Sequence, residues 1–132
     1  MPLKVLTNNS KVFGRFTYIN LDTIFIKGHA KDVINSCYPW IQKGWRLAAD
    51  PLAGYFSRPN PYHTIFLQKG KNTQCIPKDI TRLERTIEQW DKYDNIIPMT
   101  DKLWHDYEEL DLSIASCTLN GLLRNPVFYN CI

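Results

Sequence analysis

Short apolar runs separated by polar or glycine-containing turns dominate the first half of the chain, a pattern typical of strands. We predict strands at residues 3–6, 23–27, 46–49 and 63–67. A further aromatic and β-branched patch, 16–19, is predicted to pair with the second strand or to lead into it as extended chain. The polar residues 7–10 are predicted to form a turn, because Asn and Ser side chains bond nearby backbone groups.

Apolar residues then recur at helical spacing in three stretches. Residues 30–43 predict a helix that Pro39 kinks or divides, with Pro39 opening the second piece. The clearest helix spans about 77–93. A last helix is predicted from Asp101 to about Thr118, with Leu103, Trp104, Tyr107 and Leu110 as its buried stripe, before turns at 120–121 and 125–126.

Strands alternating with helices predict a small, single-domain α/β fold: a layered sheet of about four strands with helices packed on it. One domain is expected to occupy residues 1–132, with 92–132 as a helical extension ending in an apolar tail. If the strands run parallel, the loops at 7–9 and 50–54 meet at one edge of the sheet, beyond the strands' carboxyl ends, where ligands favour binding.

Composition and charge exclude several classes of function. Sixteen basic and 13 acidic residues give a net charge of +3 without a basic tract, which makes nucleic-acid binding unlikely. No window reaches the roughly 20 apolar residues of a membrane span, and no export signal opens the chain. The four cysteines are widely spaced, so we expect reduced thiols in a cytoplasmic protein, with no metal and no cofactor.

The stretch 43–68 holds the candidate chemistry, because its proline-rich loop lies between two predicted strands. Arg46 and Arg58 beside a glycine-bearing loop are the residues expected to hold a carboxylate or phosphate. The alternative is that Arg58 pairs with Asp50. The predicted ligand-binding residues are Thr7, Asn8, Asn9, Arg46, Gly54, Arg58 and Tyr62, although a plain turn is an alternative role for the first three.

His63 and Asp50 are the candidate catalytic residues, since an aspartate that orients a histidine makes a workable general base. The competing interpretation is structural: one histidine at a strand start, one aspartate before proline, and no activated nucleophile nearby.

Several of these residues also carry a family resemblance. The Thr7-Asn8-Asn9 loop, the Lys43-Gly44 helix end and the loop at 51–54 resemble the GrdX family, and a match through Pro59, Pro61 and Tyr62 extends the similarity over about residues 3–92. Histidines usual in the family are replaced here by Trp45 and Asp50. The resemblance implies small proteins encoded beside clostridial amino-acid reductases such as glycine reductase, and it implies no mechanism.

Three hypotheses for function follow. The first is a non-catalytic accessory protein that binds a small anionic metabolite or a protein partner at the Asp50–Tyr62 loop. The second is a small enzyme that uses His63 and Asp50 as an acid–base pair. The third is an interaction subunit that forms a homo-oligomer through the apolar residues 127–132.

Overall fold

A computed structural model describes residues 2–52, 60–70, 76–93 and 99–124 of the chain. The first part of the chain forms β1 (Leu3–Thr7), α1 (Ser10–Tyr18), β2 (Asp22–Phe25), α2 (Ala30–Asn35) and α3 (Cys37–Gln42). The remainder forms β3 (Trp45–Leu47), β4 (Thr64–Lys69), α4 (Ile76–Tyr93) and α5 (Asp101–Arg124). Strands β1 to β4 lie where the apolar runs predicted them.

The strands form one mixed sheet in the order β2-β1-β4-β3. β1 runs parallel to β2, and β4 runs antiparallel to both β1 and β3. The carboxyl ends of β1, β2 and β3 therefore meet at the same edge as the start of β4. We call this edge, with residues 7–9, 26–29, 48–52 and 60–63, the loop edge.

Helices cover both faces of this sheet, and each face has its own core. Buried side chains of α2, α3 and α4 pack against Leu6, Leu47 and Leu67 on one face. Those of α1 and α5 pack against Leu3, Val5 and Phe66 on the other. Each strand contributes side chains to both cores because the pleat points its successive side chains to opposite faces of the sheet. The predicted α/β class is thereby confirmed.

The segment 10–18 is a correction to the sequence prediction, because it is helix α1 and not a turn followed by extended chain. Asn9 begins the helix by accepting a bond from the backbone N–H of Lys11. Val12 and Phe16, four residues apart, are buried against the sheet. The aromatic and β-branched residues at 16–19 favour strands only weakly, and the burial of one helical face outweighs that preference.

Two further helix boundaries differ from prediction. The helical stretch 30–42 does divide into two short helices, but the break lies at Ser36, and Pro39 is the third residue of α3. A proline fits there because the first turn of a helix has no partner for its backbone N–H groups. Helix α5 runs to Arg124 through the predicted turn at 120–121.

The buried side of α5 was also predicted at the wrong end of the helix. Trp104 and Leu110 of the predicted stripe are exposed by 40% and 49%. The residues that face the core are instead Asp111, Leu112, Ala115, Leu119 and Leu122. The part of α5 beyond Leu110 packs on the sheet, whereas Leu103 and Tyr107 of the predicted stripe are only half-buried.

Some predictions concern residues outside the described ranges. Gly54 and Arg58 belong to 53–59, and the apolar carboxyl-terminal run belongs to 125–132. Among the helices that the structure does describe, none has the length and apolar character that crossing a bilayer requires.

Candidate functional site

Asn8 joins three segments at the loop edge. Its Nδ2 donates to the carbonyl oxygens of Gly28, at 3.0 Å, and of Pro61, at 2.9 Å. Its Oδ1 accepts the backbone N–H of His63 at 2.8 Å. The structure therefore brings the 7–9 turn against the segment before β4, and the amide of Asn8 is fully used in holding them together.

Asn9, Thr7 and Thr64 form a second buried network around a carboxylate from α5. Asp111 Oδ2 accepts from Asn9 Nδ2 at 3.0 Å and from Thr64 Oγ1 at 2.9 Å. Thr64 Oγ1 also lies 2.8 Å from Thr7 Oγ1. Asp111 and Asn9 have no exposed surface, so these bonds form in a medium where they are strong and costly to break. The network fastens α5 to β1 and β4.

Tyr62, another predicted ligand residue, lies in a turn that buried Asn60 closes. Asn60 Oδ1 accepts the backbone N–H of Tyr62 at 2.8 Å, and Asn60 Nδ2 donates to the carbonyl of Tyr107 at 2.8 Å. The ring of Tyr62 is half-buried, edge-on to Trp104 at 5.8 Å between centroids. The ring thus contributes to packing between this turn and α5.

His63 and Asp50 both lie at the loop edge but engage different groups. His63 is 2% exposed and donates from Nε2 to the carbonyl oxygen of Pro51 at 2.9 Å. Asp50 is exposed, and its Oδ1 accepts the backbone N–H of Leu52 at 2.9 Å. Within the described residues, therefore, Asp50 closes its own turn and does not orient the imidazole as a general base would require.

The burial of the His63 imidazole should make the stability of the folded protein depend on pH. Burial lowers the pKa of His63, against smaller opposing effects of the Asp111 charge and of the bond to Pro51. Unfolded histidine titrates near pH 6.5. Below that pH the unfolded chain binds a proton that the folded chain binds less readily, so stability present above pH 6.5 is lost as the pH falls.

We therefore expect the melting temperature to fall between pH 7.5 and pH 5, and His63→Gln to flatten that fall, because its amide can still donate to Pro51. Burial also raises the pKa of Asp79, which acts in the opposite sense, so the comparison between variants is the informative measurement. Exposed His105→Gln serves as the control and is expected to keep the wild-type slope. An equal slope in all three proteins would contradict the prediction.

Arg46 lies away from the loop edge. It pairs across the sheet with Gln68, and Gln68 pairs with Leu3. Thr7 lies four residues further along β1, roughly 13 Å away at the usual rise of a strand. The structure thus places Arg46 near the opposite end of the sheet from Asn8, Asn9, Tyr62 and His63, and the predicted ligand residues divide into two groups.

Arg46 and Gln68 are buried without using most of their hydrogen-bonding capacity. Arg46 is 2% exposed and Gln68 has no exposed surface. Within the described part of the chain, Nε and Nη1 of Arg46 and both Oε1 and Nε2 of Gln68 have no hydrogen-bond partner. Directly paired residues project from the same face of a sheet about 5 Å apart at Cβ. We call this pair the Arg46–Gln68 site.

The carboxylate of Asp79 is a described counter-charge to Arg46. Its Oδ2 accepts the backbone N–H of Leu47 at 3.2 Å along the outer edge of β3, and its Oδ1 lies 3.8 Å from Nη1 of Arg82. Burial raises the pKa of Asp79, whereas the Leu47 bond and the charges of Arg46 and Arg82 oppose that rise. The charge of Arg46 therefore acts on Asp79, but within the described structure Asp79 forms no hydrogen bond to Nε or Nη1 of Arg46.

Gly70 lies directly against the Arg46 side chain. A Cβ at this position would collide with Cγ of Arg46 and would lie 2.9 Å from its Nε and from the carbonyl oxygen of Gly44. The backbone N–H of Gly70 donates to that same carbonyl at 2.9 Å. The absence of a side chain at Gly70 thus lets the backbone pass close to the guanidinium.

Five residues of these networks were missed from sequence: Gln68, Asn60, Thr64, Asp79 and Asp111. Gln68 is a polar residue directly after an apolar strand run, but only the strand register places it opposite Arg46. Asp79 lies in the first turn of α4, where a carboxylate suits the helix dipole, so nothing local points to its bond with Leu47. Asn60 and Asp111 carry no local signal for their contacts across the fold, since Trp90 lies 30 residues from Asn60 and Thr64 lies 47 residues from Asp111.

One protein-family model matches the chain over most of its length. The family model described as GrdX-like protein matches residues 4–120. The match extends beyond the region of resemblance recognised from sequence, 3–92, and includes most of α5. Neither a curated protein nor a solved structure matches the chain. Because the family model covers nearly the whole chain, this protein belongs to the GrdX-like family.

Proposed function

We propose that this GrdX-like protein is a non-catalytic accessory protein of the cytoplasm that binds a small anionic metabolite, with Arg46 as the residue that holds the anion. One observation carries the proposal: the guanidinium is almost completely buried, yet Nε and Nη1 lack hydrogen-bond partners in the described residues. Leaving such donors unpaired costs about 1–3 kcal/mol each, more when charged. A carboxylate or phosphate that accepts from Nε–H or from Nη1–H, which point to opposite sides of the guanidinium, would satisfy one of these buried donors.

The geometry favours the Arg46–Gln68 site over the loop edge as the place of binding. The side-chain amide of Asn8 is consumed by bonds that hold the loops, and that of Asn9 by its bonds to α1 and α5. Lys11, on α1 two residues beyond Asn9, is paired with Glu108 and Glu109. Arg46, by contrast, presents two unused donors from a planar group suited to carboxylates and phosphates.

The enzyme hypothesis has less support from the described contacts. An acid–base pair needs a histidine within reach of both its orienting carboxylate and the substrate. His63 donates to the Pro51 carbonyl, is buried, and has a lowered pKa, whereas Asp50 faces solvent. Each residue has a structural task in its own turn. The homo-oligomer hypothesis depends on 127–132, which lie outside the described residues.

A thermal-shift screen of the full chain against acetate, inorganic phosphate and small hydroxy- and amino acids tests the proposal. An anion present at 100 times its dissociation constant should raise stability by about 2.7 kcal/mol. We expect Arg46→Met to abolish the shift, because no donor then remains for the anion. Arg46→Lys should weaken it, because an ammonium keeps the charge but not the planar fork.

Arg85→Met is the matched control, since Arg85 is an exposed arginine on α4 and lies outside the Arg46–Gln68 site. The control should respond to the anion like the wild type. A shift that persists in Arg46→Met, or no shift with any anion in a protein that melts normally, would refute the proposal.

A further inference from the structure

Resting on the proposed function, we infer that the ligand of the Arg46–Gln68 site is a small 2-hydroxycarboxylate. Gln68 is the observation that carries this step. A carboxamide offers one acceptor, Oε1, and one donor group, Nε2, and both are buried without a partner in the described residues. Satisfying Gln68 therefore requires a ligand that donates a hydrogen bond as well as accepting one.

The spacing of the two residues sets where that donor lies on the ligand. Arg46 and Gln68 are directly paired on neighbouring antiparallel strands. Side chains in such a pair stand about 5 Å apart at Cβ, so their ends reach the same few atoms. The group that donates to Gln68 is therefore on the carbon next to the carboxylate that Arg46 holds.

The charges around the site select a hydroxyl as the donor. An ammonium on the same carbon would bring a second positive charge beside the guanidinium of Arg46, which is unfavourable in a buried site. A doubly charged phosphate would bring extra negative charge near the carboxylate of Asp79, since Asp79 lies close enough to Arg46 for their charges to interact. A hydroxyl donates and accepts without adding charge.

Matched pairs of ligands test the inference on the full chain by titration calorimetry. Glycolate differs from acetate, and lactate from propionate, by one hydroxyl. We expect each hydroxy acid to bind at least about tenfold more tightly than its partner, since a lost bond that leaves a buried polar group unpaired costs about 1.4 kcal/mol or more. Glycine and inorganic phosphate complete the series and should bind more weakly than glycolate.

Gln68→Leu keeps a similar volume and removes both polar groups. This variant should lose the preference for glycolate over acetate, so that the two affinities agree to within about twofold. Gln68→Glu, the second variant, places a negative charge beside Arg46 and should bind no anion.

The outcomes separate this inference from the proposed function. Equal affinity for acetate and glycolate, with both lost in Arg46→Met, overturns the hydroxyl inference and leaves anion binding in place. A preference for glycine or phosphate, or a glycolate preference that survives in Gln68→Leu, also overturns it. Failure of every anion to bind overturns both.

Discussion

Replacing Asn8 with alanine is expected to lower the free energy of unfolding by about 4 kcal/mol, because it leaves one buried carbonyl group, one part-buried carbonyl group and one buried N–H group without their partner. The carbonyls are those of Gly28 and Pro61, and the N–H is that of His63. These groups belong to separate segments of the loop edge, so the loss also frees the segments from one another. Chemical denaturation followed by tryptophan fluorescence measures the effect.

Asn120→Ala is the matched control for this experiment. Asn120 is exposed on α5, where replacing it by a better helix former should change stability by no more than about 0.5 kcal/mol. Asn8→Asp provides a second comparison, since it keeps the acceptor for His63 but loses the donor to both carbonyls. Its stability should lie below the wild type. A loss under about 1 kcal/mol in Asn8→Ala would show that the three segments hold together without Asn8.

Replacing Asp111 with alanine is expected to cost about 3 kcal/mol, because two hydrogen bonds to a buried carboxylate are lost and their donors remain buried. Those donors are Asn9 Nδ2 and Thr64 Oγ1. Removing the carboxylate also relieves its own desolvation, which keeps the estimate below the full sum of the two bonds. The change separates α5 from β1 and β4 at the loop edge.

The control for Asp111 is Asp106→Ala, on an exposed position of the same helix, which should be nearly neutral. If α5 belongs to the same cooperative unit as the sheet, Asp111→Ala will shift a single unfolding transition. Separate transitions for helix and sheet would instead support an independent carboxyl-terminal extension. An unchanged midpoint in Asp111→Ala would contradict the role assigned to the network.

The two ends of the sheet differ in a way that bears on function. At the loop edge, Asn8, Asn9 and Asn60 meet the hydrogen-bonding needs of nearby backbone groups. At the Arg46–Gln68 site, a charge and an amide are buried with unused donors and acceptors. Natural proteins rarely leave such groups unsatisfied, which is why the second location is the one proposed for a ligand.

The second half of the fold was easiest to predict, with the exception of its last helix. The spacing of Leu83, Ile87 and Trp90 predicts α4 correctly, and the apolar run before Lys69 predicts β4. Helix α1 was missed because its aromatic and β-branched residues are also typical of strands. The buried stripe of α5 was misplaced because Trp104 and Leu110 are exposed, and only packing reveals which turns of a long helix meet the sheet.

By itself the sequence determined the α/β class, the four strands and the family, because strand and helix periodicity and short loop motifs are local properties of the chain. Only the tertiary structure decided that Asn8 and His63 meet while Arg46 lies at the other end of the sheet. That decision depends on strand order and register, which are set by contacts between residues far apart in the chain. The same contacts pair Gln68 with Arg46 and Asp111 with Asn9. The first pair is the proposed binding site, and the second belongs to the network that holds α5 to the sheet.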